Sequence, residues 1–376
     1  MEFGLFNSGC LLPNYRPGDP LREHHRMIDE VEWTKAADRS GFKYTWATEH
    51  HFLTEYSHLS ASEVFLGYLA AATENIHLGS GIFNITPPVN PPARVAERVA
   101  MLDHLSLGRF EFGMGRGSSS TEQKGFGIDD PELTREMFDE VIAQFTAMWA
   151  DGEYGPYDGK FFSMPQRNVL PKPLTKPHPP MWVAAGSPST FEKAGKMGLG
   201  VLCFTMSSVE NLKPLIDSYK TAVQDAEPVG EYVNDNIMVT SHMLCLEDGQ
   251  RVRDIAATLQ GSYHSSLLFK YLDTFPRPAG IPVWPELIPE PTADQIDAMI
   301  KSRTQCFGTP DEVADACQKF ADAGVDQLVF GQLSSTMSRE VAVETVETFG
   351  KHVLGQFDKD PVHRTTRQRE AALAQH

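Results

Sequence analysis

The chain has few basic residues for its size, and this shortage limits the partners it can bind. Its 376 residues include 33 lysines and arginines against 50 aspartates and glutamates, so the formal net charge is -17 at pH 7. A protein whose main role is to bind nucleic acid needs a basic surface, because the phosphate backbone is recognised by its charge. The composition therefore argues against that class and favours an acidic, well-hydrated surface.

Cysteines and long apolar runs are also scarce. The five cysteines contain no CxxC pair, which excludes a zinc finger and predicts reduced, mostly buried thiols in a reducing compartment. Residues 1–6 lack the basic stretch of a signal peptide. No apolar run reaches the roughly 18 residues that a membrane-spanning helix needs. We therefore expect a cytoplasmic protein without a membrane span.

What the chain does contain is a regular alternation of strand-like and helix-like segments. The predicted strands are Glu2–Asn7, Phe42–Thr48, Ile76–Ile85, Arg109–Gly115, Met181–Ala185, Gly200–Phe204, Ile237–Leu246 and Asp326–Phe330. The predicted helices between them include Asp29–Arg39, Ala61–Thr73, Ala93–Leu107, Glu132–Trp149 and Pro310–Ala323. Eight strands that alternate with helices predict an α/β fold, a (β/α)8 TIM-type barrel.

Two insertions and a tail depart from this rhythm. Residues 151–180 and 261–295 are rich in proline, glycine and aromatic residues. Long irregular segments in a barrel are typical of lids over a functional site, and the alternative is a surface flap or a dimer contact. We predict one barrel domain over residues 1–357, followed by a polar, frayed tail over residues 358–376.

Three ionisable residues, Glu49, His50 and His51, stand in a row after the second predicted strand. The carboxyl ends of barrel strands are where the chemistry of such folds is done, so Glu49 and His50 are our candidate catalytic residues. The residues alone leave two alternatives open: a solvated turn, or a metal hydrolase site built on all three side chains. Adjacent histidines on an extended chain point to opposite sides, which disfavours the metal site.

A glycine-rich segment follows the fourth predicted strand and is typical of a phosphate-binding loop. Residues 112–121 contain three glycines, including Gly115, which let a ligand approach the backbone closely. Arg116 within the same segment offers the forked guanidinium that suits a phosphate. The spacing is not that of a dinucleotide-binding fingerprint, so the glycines alone identify no cofactor.

A second loop between a strand and a helix offers further groups for an anion. Gly186, Ser187 and Thr190 lie in residues 185–190. Ser187 is either a plain helix N-cap or part of an anion site at a helix N-terminus. Two such loops in one barrel, one of them with an arginine, favour a phosphorylated cofactor.

Three motifs make the chain similar to the bacterial luciferase-like flavin-dependent monooxygenases. They are ATEHHF (47–52), LDHLSLGRFEFGMGRG (102–117) and AAGSPST (184–190). The resemblance runs from the first strand through at least residue 200, and it resumes weakly at residues 308–313 and 323–326. It implies a (β/α)8 barrel that uses reduced FMN, supplied by a separate NAD(P)H:flavin reductase, with O2 as the co-substrate.

The resemblance also implies roles for individual residues. His50 matches the family's active-site histidine, which acts on a C4a-hydroperoxyflavin that oxygenates a small organic substrate such as an aldehyde or a ketone. Arg116, Ser187 and Thr190 match the contacts to the flavin phosphate. Asn84 ends the third strand, where the backbone runs alongside the flavin ring.

Two positions depart from the luciferases themselves. Gly115 and Gly186 stand where luciferases carry a cysteine and a glutamate, and both are kept here as cofactor-binding positions. The first change makes space above the flavin and the second removes a charge. They argue against light emission with a long-chain aldehyde and favour a related oxygenation.

The family resemblance leaves two other activities open and implies an assembly. A dehydrogenase of the same superfamily would use the deazaflavin F420, and some luciferase relatives bind flavin without catalysis. The second and third predicted helices carry more apolar residues than one buried face requires. In this family those helices form a dimer contact, so we expect a homodimer.

Overall fold

The computed structural model describes residues 1–204, 208–258, 273, 280, 292–303, 305–332, 334 and 336–374. Within these ranges the strands are β1 (Glu2–Asn7), β2 (Tyr44–Ala47), β3 (His77–Ser80), β4 (Phe83–Asn84), β5 (Phe110–Gly115), β6 (Tyr157–Asp158), β7 (Ser163–Met164), β8 (Met181–Ala184), β9 (Gly200–Cys203), β10 (Ile237–Cys245), β11 (Cys306–Gly308) and β12 (Gln327–Gln332).

Helices connect these strands on the outside of the sheet. They are α1 (Arg22–Arg39), α2 (Ser62–Ala72), α3 (Pro92–Leu105), α4 (Ser120–Gly125), α5 (Leu133–Ile142), α6 (Phe145–Trp149), α7 (Pro188–Lys196), α8 (Val209–Ala222), α9 (Gly249–Ala256), α10 (Ala293–Ser302), α11 (Pro310–Ala323), α12 (Arg339–Phe349), α13 (Gly355–Phe357) and α14 (Arg364–Leu373). No helix in the described ranges is long and apolar enough to cross a membrane.

The sheet closes into a parallel barrel. Its strands follow the order β1, β2, β3, β5, β8, β9, β10 and β12, and β12 pairs back to β1. β4 continues the line of β3 and pairs with β5. Since every connection in this ring is parallel, all carboxyl ends of the strands meet at one end, which we call the mouth, and all amino ends meet at the other, which we call the base. The predicted (β/α)8 barrel is confirmed.

The longest strand, β10, holds three neighbours together. Its first three residues pair with β9 and its last three pair with β11, while its opposite edge pairs with β12. α9 follows β10, and α10 leads back to β11. The Nε atom of Arg253 on α9 donates to the carboxylate of Asp297 on α10 at 2.6 Å, so the two helices are tied together.

Large aromatic side chains fill the interior of the barrel. Trp46 and Trp182 meet edge to face, with ring centroids 5.2 Å apart, and both are fully buried. Tyr44, Phe6 and Leu202 complete the same interior cluster. A second and larger apolar core lies between the strands and the helices. Strands that are buried on both faces read as the near-continuous apolar runs from which they were predicted.

The structure corrects two details of the sequence-based picture, one in a predicted helix and one in the tail. The predicted helix Glu132–Trp149 is two helices, α5 and α6. The tail is not frayed, because α14 spans Arg364–Leu373 and Thr365 within it is buried. A tertiary contact decides this, since the tail's own composition is polar throughout.

The insertion at residues 151–180 is a surface flap, so its interpretation as a lid was wrong. It forms the β6–β7 hairpin, and Tyr154 in it donates to Gln144 Oε1 at 2.9 Å. Its far end binds the end of α3, where the Thr175 hydroxyl donates to the Asp103 carboxylate at 2.8 Å. The segment then enters β8 at its amino end, so it reaches the base of the barrel rather than the mouth. The other predicted lid, residues 261–295, lies almost entirely outside the described residues.

Candidate active site

The Glu49–His51 run lies at the mouth, immediately after β2. The backbone N–H of His50 donates to the carbonyl of Leu59 at 2.9 Å, which folds residues 51–59 back over the end of the strand. The same segment bonds to the loop after β1, where the N–H of Leu11 donates to the carbonyl of Tyr56 at 2.9 Å. Two loops therefore support each other at the mouth and fix the backbone that carries His50.

Glu49 points away from His50. Its Oε1 accepts a hydrogen bond from Asn90 Nδ2 at 2.9 Å and lies 3.1 Å from His51 Nε2. Its side chain is almost fully buried, and its Oε2 has no hydrogen-bond partner among the described residues. This buried oxygen lacks a hydrogen-bond donor, which a ligand could supply, because leaving a buried polar atom unsatisfied costs about 1–3 kcal/mol.

His50 is held by a carboxylate that lies 72 residues further along the chain. Its Nδ1 lies 3.2 Å from Glu122 Oε1, and the same oxygen accepts the backbone N–H of His51 at 2.8 Å. The ring also meets Tyr56 edge to face, with centroids 5.2 Å apart. A carboxylate at one ring nitrogen fixes the ring's orientation and favours the tautomer with the proton at that nitrogen.

Glu49 and His50 therefore do not converge on one point, as a hydrolase metal site would require. Their side chains engage different elements, Asn90 near the start of α3 and Glu122 on α4. Among the residues the structure describes, no group of three or more histidine, cysteine, aspartate or glutamate side chains is placed to hold a metal ion.

Asn84 connects the ends of two neighbouring strands. It pairs with Gly115 in the β4–β5 ladder, and its side-chain Oδ1 accepts from the backbone N–H and the hydroxyl of Thr86 at 3.1 and 2.7 Å. Its backbone carbonyl accepts from Asn90 Nδ2 at 2.8 Å. Asn90 thus joins Glu49 to the end of β4, and the local sequence pattern gave no sign of it.

Arg116 follows β5 and is half-buried beside a neutral partner. Its guanidinium donates to the Thr134 hydroxyl at 2.8 Å. No ion pair found in the described part of the chain includes it. Burial lowers the pKa of Arg116, and the nearby Arg135 lowers it further while Glu132 opposes this. A partly desolvated cation next to a second cation is a favourable place for a phosphate.

The glycines of this loop are required by space. A Cβ on Gly113 would lie 2.0 Å from the Ser80 carbonyl oxygen, and one on Gly117 would lie 2.9 Å from Asn84 Nδ2. Gly117 also has a φ of 73°, which favours glycine. The glycine pattern therefore reports close packing of strands as well as room for a ligand.

The second loop begins α7 with a capping box. Ser187 is the N-cap, and its hydroxyl accepts the backbone N–H of Thr190 at 3.4 Å. The Thr190 hydroxyl accepts the N–H groups of Gly186 and Ser187 at 3.2 and 3.0 Å. The interpretation of Ser187 as a helix N-cap is confirmed, and the anion site at the same helix N-terminus stays a prediction. Because β8 pairs with β5, this loop leaves the mouth beside the loop of Arg116.

Comparison with known proteins identifies the class. The model of the luciferase-like monooxygenase family matches residues 1–327. The chain belongs to this family. The resemblance seen in the three sequence motifs is confirmed.

This luciferase-like monooxygenase has curated relatives of known activity. It is 26% identical over 371 residues to the oxygenase component of the flavin-dependent trigonelline monooxygenase of Acinetobacter baylyi, which covers 97% of this chain and 98% of that one. It is 30% identical over 220 residues to the alkanal monooxygenase alpha chain of the Kryptophanaron alfredi symbiont. That second match covers 58% of each protein, so the chain spans less than two thirds of that relative.

Solved structures share the fold of this luciferase-like monooxygenase. The oxygenating constituent of 3,6-diketocamphane monooxygenase from Pseudomonas putida, in complex with FMN, matches with a TM-score of 0.74 at 18% identity over 96% of this chain and 99% of that one. An F420-dependent secondary alcohol dehydrogenase matches with a TM-score of 0.67 at 15% identity over 95% and 99%. At these identities the likeness establishes the fold alone, and both cofactor types occur on it.

One described residue from the second insertion of this luciferase-like monooxygenase reaches the mouth. The carboxylate of Asp273 accepts the backbone N–H of Ser120 at 3.1 Å, at the start of α4. α4 also carries Glu122, the partner of His50. The lid over residues 261–295 stays a prediction, because nearly all of it lies outside the described residues.

Proposed function

We propose that this protein is the oxygenase component of a two-component monooxygenase that uses reduced FMN and O2 to oxygenate a small organic substrate such as an aldehyde or a ketone. The observation that carries the proposal is the meeting of two features at one mouth. Arg116 offers a half-buried cation with a neutral partner, and His50 is held by Glu122. The relative named as an oxygenase component, matched over nearly its whole length, supports the same assignment.

The residues present fit a flavin mononucleotide. Arg116 and the groups at the start of α7, including Ser187 and Thr190, would hold the phosphate through charge and hydrogen bonds. Gly186 leaves the backbone accessible, whereas Gly115 is buried against Ile82 and would contribute only by its small size, and Asn84 would lie beside the ring. When bound, the reduced flavin supplies electrons to O2, so that one oxygen atom passes to the substrate and the other leaves as water.

The protein's own contribution is proton transfer, orientation and exclusion of water. With Nδ1 held by Glu122, His50 would move a proton at its other ring nitrogen, a common role of histidine in catalysis. Glu49 would act by fixing His51 and Asn90, and it keeps one oxygen available for a further hydrogen bond. Water must be kept out, since otherwise reduced flavin and O2 are released as oxidised flavin and H2O2.

The exposed faces of α2 and α3 support a homodimer as part of the proposal. Val64, Tyr68, Met101 and Leu105 are large apolar side chains that are about half or more exposed. Several exposed apolar side chains on two helices that contact each other are typical of an interface. Replacing Tyr68 by Asp should convert a dimer to a monomer in light scattering after gel filtration, and a monomeric wild type would contradict this part of the proposal.

Rapid mixing tests the reaction. The protein loaded with photoreduced FMN is mixed with oxygenated buffer, and the near-ultraviolet absorbance is followed. A band that forms with oxygen and persists before oxidised FMN appears would support an oxygenase and justify a screen of aldehydes and ketones. Immediate return to oxidised FMN would contradict the proposal, and titration with F420 would then separate the dehydrogenase from a passive flavin carrier.

The variant His50→Ala tests the catalytic assignment. It should leave FMN affinity largely unchanged, while the yield of oxygenated product falls and H2O2 rises. His24→Ala is the matched control, because His24 is an exposed histidine on α1. Unchanged coupling of O2 to product in His50→Ala would remove His50 from the mechanism.

A further inference from the structure

A small cavity lies in the wall of the mouth, apart from the groups discussed so far. It has a volume of about 20 Å3 and is bounded by the carboxyl ends of β1, β10 and β12 and by α1. Its lining includes Ser8, Arg26, Glu30, Trp33, His242 and Gln332. In the order of strands around the barrel, this wall lies across from β5 and β8 and next to β2, the strand that leads to His50.

α1 presents one polar stripe to this cavity. Arg26, Glu30 and Trp33 are spaced four and three residues apart, so they share one face of the helix. All three are buried, at 1%, 3% and 2% exposure. Charged residues are almost never buried to this degree without a structural or functional partner. The exposed face of the same helix carries the charged residues that its amphipathic pattern requires.

In this stripe, Glu30 and Trp33 each have one polar atom whose hydrogen bonding is incomplete. Glu30 Oε1 accepts the backbone N–H of Gly9 at 2.9 Å, but Oε2 has no partner among the described residues. Trp33 Nε1 likewise has none there. One atom is an acceptor and the other is a donor, and both residues line the same cavity. A buried polar atom without a hydrogen bond destabilises the fold, so a group that satisfies both atoms is favoured.

The charges around the cavity favour a neutral group. The Arg26 guanidinium lies over the Tyr15 ring at 4.3 Å and donates to Gln332 Oε1 at 3.0 Å. Burial raises the pKa of Glu30 to about 7, with Asp29 adding to the rise and Arg26 and the N–H of Gly9 opposing it. Burial lowers the pKa of His242 to about 4. A second anion would be repelled by Glu30 and a cation by Arg26, whereas a neutral group meets neither penalty.

The volume of the cavity further limits which chemical group it can hold. A cavity of about 20 Å3 holds roughly one or two non-hydrogen atoms. A carbonyl or an ether of that size could accept from Trp33 but could not donate to Glu30. A hydroxyl both donates and accepts, so it could donate to Glu30 Oε2 and accept from Trp33 Nε1 at the same time.

Resting on the proposed function, we propose that this cavity binds a hydroxyl group of the substrate, which donates to Glu30 Oε2 and accepts from Trp33 Nε1. The substrate class is then a hydroxylated carbonyl compound, an aldehyde or ketone that also carries an alcohol or phenol group. The flavin phosphate would bind on the far side of the mouth, and the hydroxyl would fix the substrate against the wall beside β2.

The test measures binding without turnover. Oxidised FMN is bound to the full-length protein, and the affinities of 4-hydroxycyclohexanone and 4-methylcyclohexanone are compared by calorimetry. The wild type should prefer the hydroxylated ketone by about tenfold, the value of one well-made buried hydrogen bond. Trp33→Phe and Glu30→Gln should each reduce this preference to about threefold or less, with FMN affinity unchanged.

The variants are chosen so that folding does not obscure the result. Glu30→Gln retains an oxygen for the N–H of Gly9 and replaces the acceptor at Oε2 with a donor, so it removes the acceptor for the substrate hydroxyl with little change in shape. Glu32→Gln is the control, because Glu32 on the same helix pairs with Lys35 away from the cavity. Melting temperatures equal to that of the wild type would show that the variants are folded. If Trp33→Phe does not fold, Glu30→Gln alone decides the question.

The outcomes separate this inference from the function on which it rests. No preference in the wild type, or a preference that survives both Glu30→Gln and Trp33→Phe, would overturn the hydroxyl site. A preference that depends on both residues supports it, even if the ketone is never oxygenated. If the rapid-mixing experiment contradicts the oxygenase proposal but the hydroxyl preference depends on both residues, the cavity assignment still stands.

Discussion

The two ends of the barrel use the same kinds of ionisable residue in opposite ways. At the base, Glu2 accepts from Lys43 Nζ at 2.7 Å and from the Tyr44 hydroxyl at 2.8 Å. At the mouth, Glu49 and Glu30 each keep one carboxylate oxygen without a partner in the described part of the chain. The base satisfies its buried charges internally, whereas the mouth retains polar atoms that a ligand can satisfy.

The docked tail is what completes the base. Thr365 on α14 donates to Glu111 Oε1 at 2.6 Å, and the N–H of Arg364 donates to Glu2 Oε1 at 2.9 Å. The rings of His363 and His77 stack with centroids 3.6 Å apart. Stability and ligand binding are therefore separated along the barrel axis. Substitutions at the base should lower the free energy of unfolding, whereas substitutions at the mouth should lower the affinity for FMN.

The largest effect should come from removing residues 358–376. Glu2, Lys43 and Glu111 would then lose partners while staying largely buried, and breaking a buried pair costs about 3–5 kcal/mol. We expect a large fall in soluble yield and in the free energy of unfolding measured with urea. FMN affinity per folded molecule should be unchanged, because the mouth is untouched.

The control for this truncation is Arg367→Ala. Arg367 pairs with Asp360 on the surface, and both side chains are about half exposed. Its loss should leave the free energy of unfolding nearly unchanged, because an exposed ion pair contributes little to stability. A truncated protein as stable as the wild type would show that the base does not depend on the tail.

The next largest effect is expected at the mouth. Arg116→Ala should weaken FMN binding by about 1–3 kcal/mol, because a charged hydrogen bond to the phosphate is lost. The flavin-free protein should be as stable as before, since Arg116 has only the neutral Thr134 hydroxyl as its bonded partner shown in the structure. Fluorescence titration of FMN and thermal unfolding measure the two quantities. Arg167→Ala, an exposed arginine on the flap, should change neither.

The pH dependence of stability should distinguish the base from the mouth. Burial raises the pKa of Glu111 from 4.5 to about 8. The native state therefore keeps a proton that the unfolded chain has released, and stability falls as the pH rises through the folded pKa. Glu111→Gln should remove this slope, which amounts to at most about 1.4 kcal/mol per pH unit.

The comparison is best made between pH 7 and 8, because Glu30, whose pKa is raised to about 7, adds a slope of the same sign at lower pH. Burial lowers the pKa of His77 from 6.5 to about 3 and that of His363 to about 2, so these rings affect stability only when the pH falls below 6.5. Urea unfolding at several pH values within the window gives the slopes of the wild type and the variant. Equal slopes would mean that Glu111 is ionised in the folded protein.

The smallest predicted effect concerns the hold on His50. Glu122→Gln keeps an oxygen for the N–H of His51 but weakens the contact with His50 Nδ1. We expect the ratio of oxygenated product to H2O2 to fall by about three- to tenfold, equivalent to at most 1.4 kcal/mol or so, with FMN affinity unchanged. Glu153→Gln, an exposed carboxylate on the flap at the base, is the control. An unaltered ratio would assign Glu122 a purely structural role.

The strands and the phosphate loops could be predicted because their signals are local. Each predicted strand overlaps a barrel strand, and each follows from a short apolar run with a glycine or polar boundary. Arg116, Ser187 and His50 all stand at the ends of such strands. Parallel topology then brings these ends together, so the sequence predicts a shared mouth without any knowledge of side-chain contacts.

The partners of these residues could not be predicted in the same way. Glu122 lies 72 residues from His50, and nothing in its neighbourhood distinguishes it from other acidic residues at a helix start. Glu30 lies in the predicted helix Asp29–Arg39 and Arg26 lies before it, and only the packing of α1 against β1 and the end of β12 buries them. The ordered tail could not be predicted from its own mostly polar sequence, because its docking depends on contacts with Glu2 and Glu111, more than 250 residues earlier.

The pairing of β10 with β11 bears on how such an enzyme acquires new substrates. The chain leaves the barrel after α9 and returns through α10, and Arg253 and Asp297 hold these two points together. A segment whose ends are already joined can change length cheaply, since each doubling of a loop costs only about 0.6 kcal/mol. The connecting residues can therefore be exchanged between relatives as a unit, and the barrel that holds the cofactor need not be rebuilt when they are.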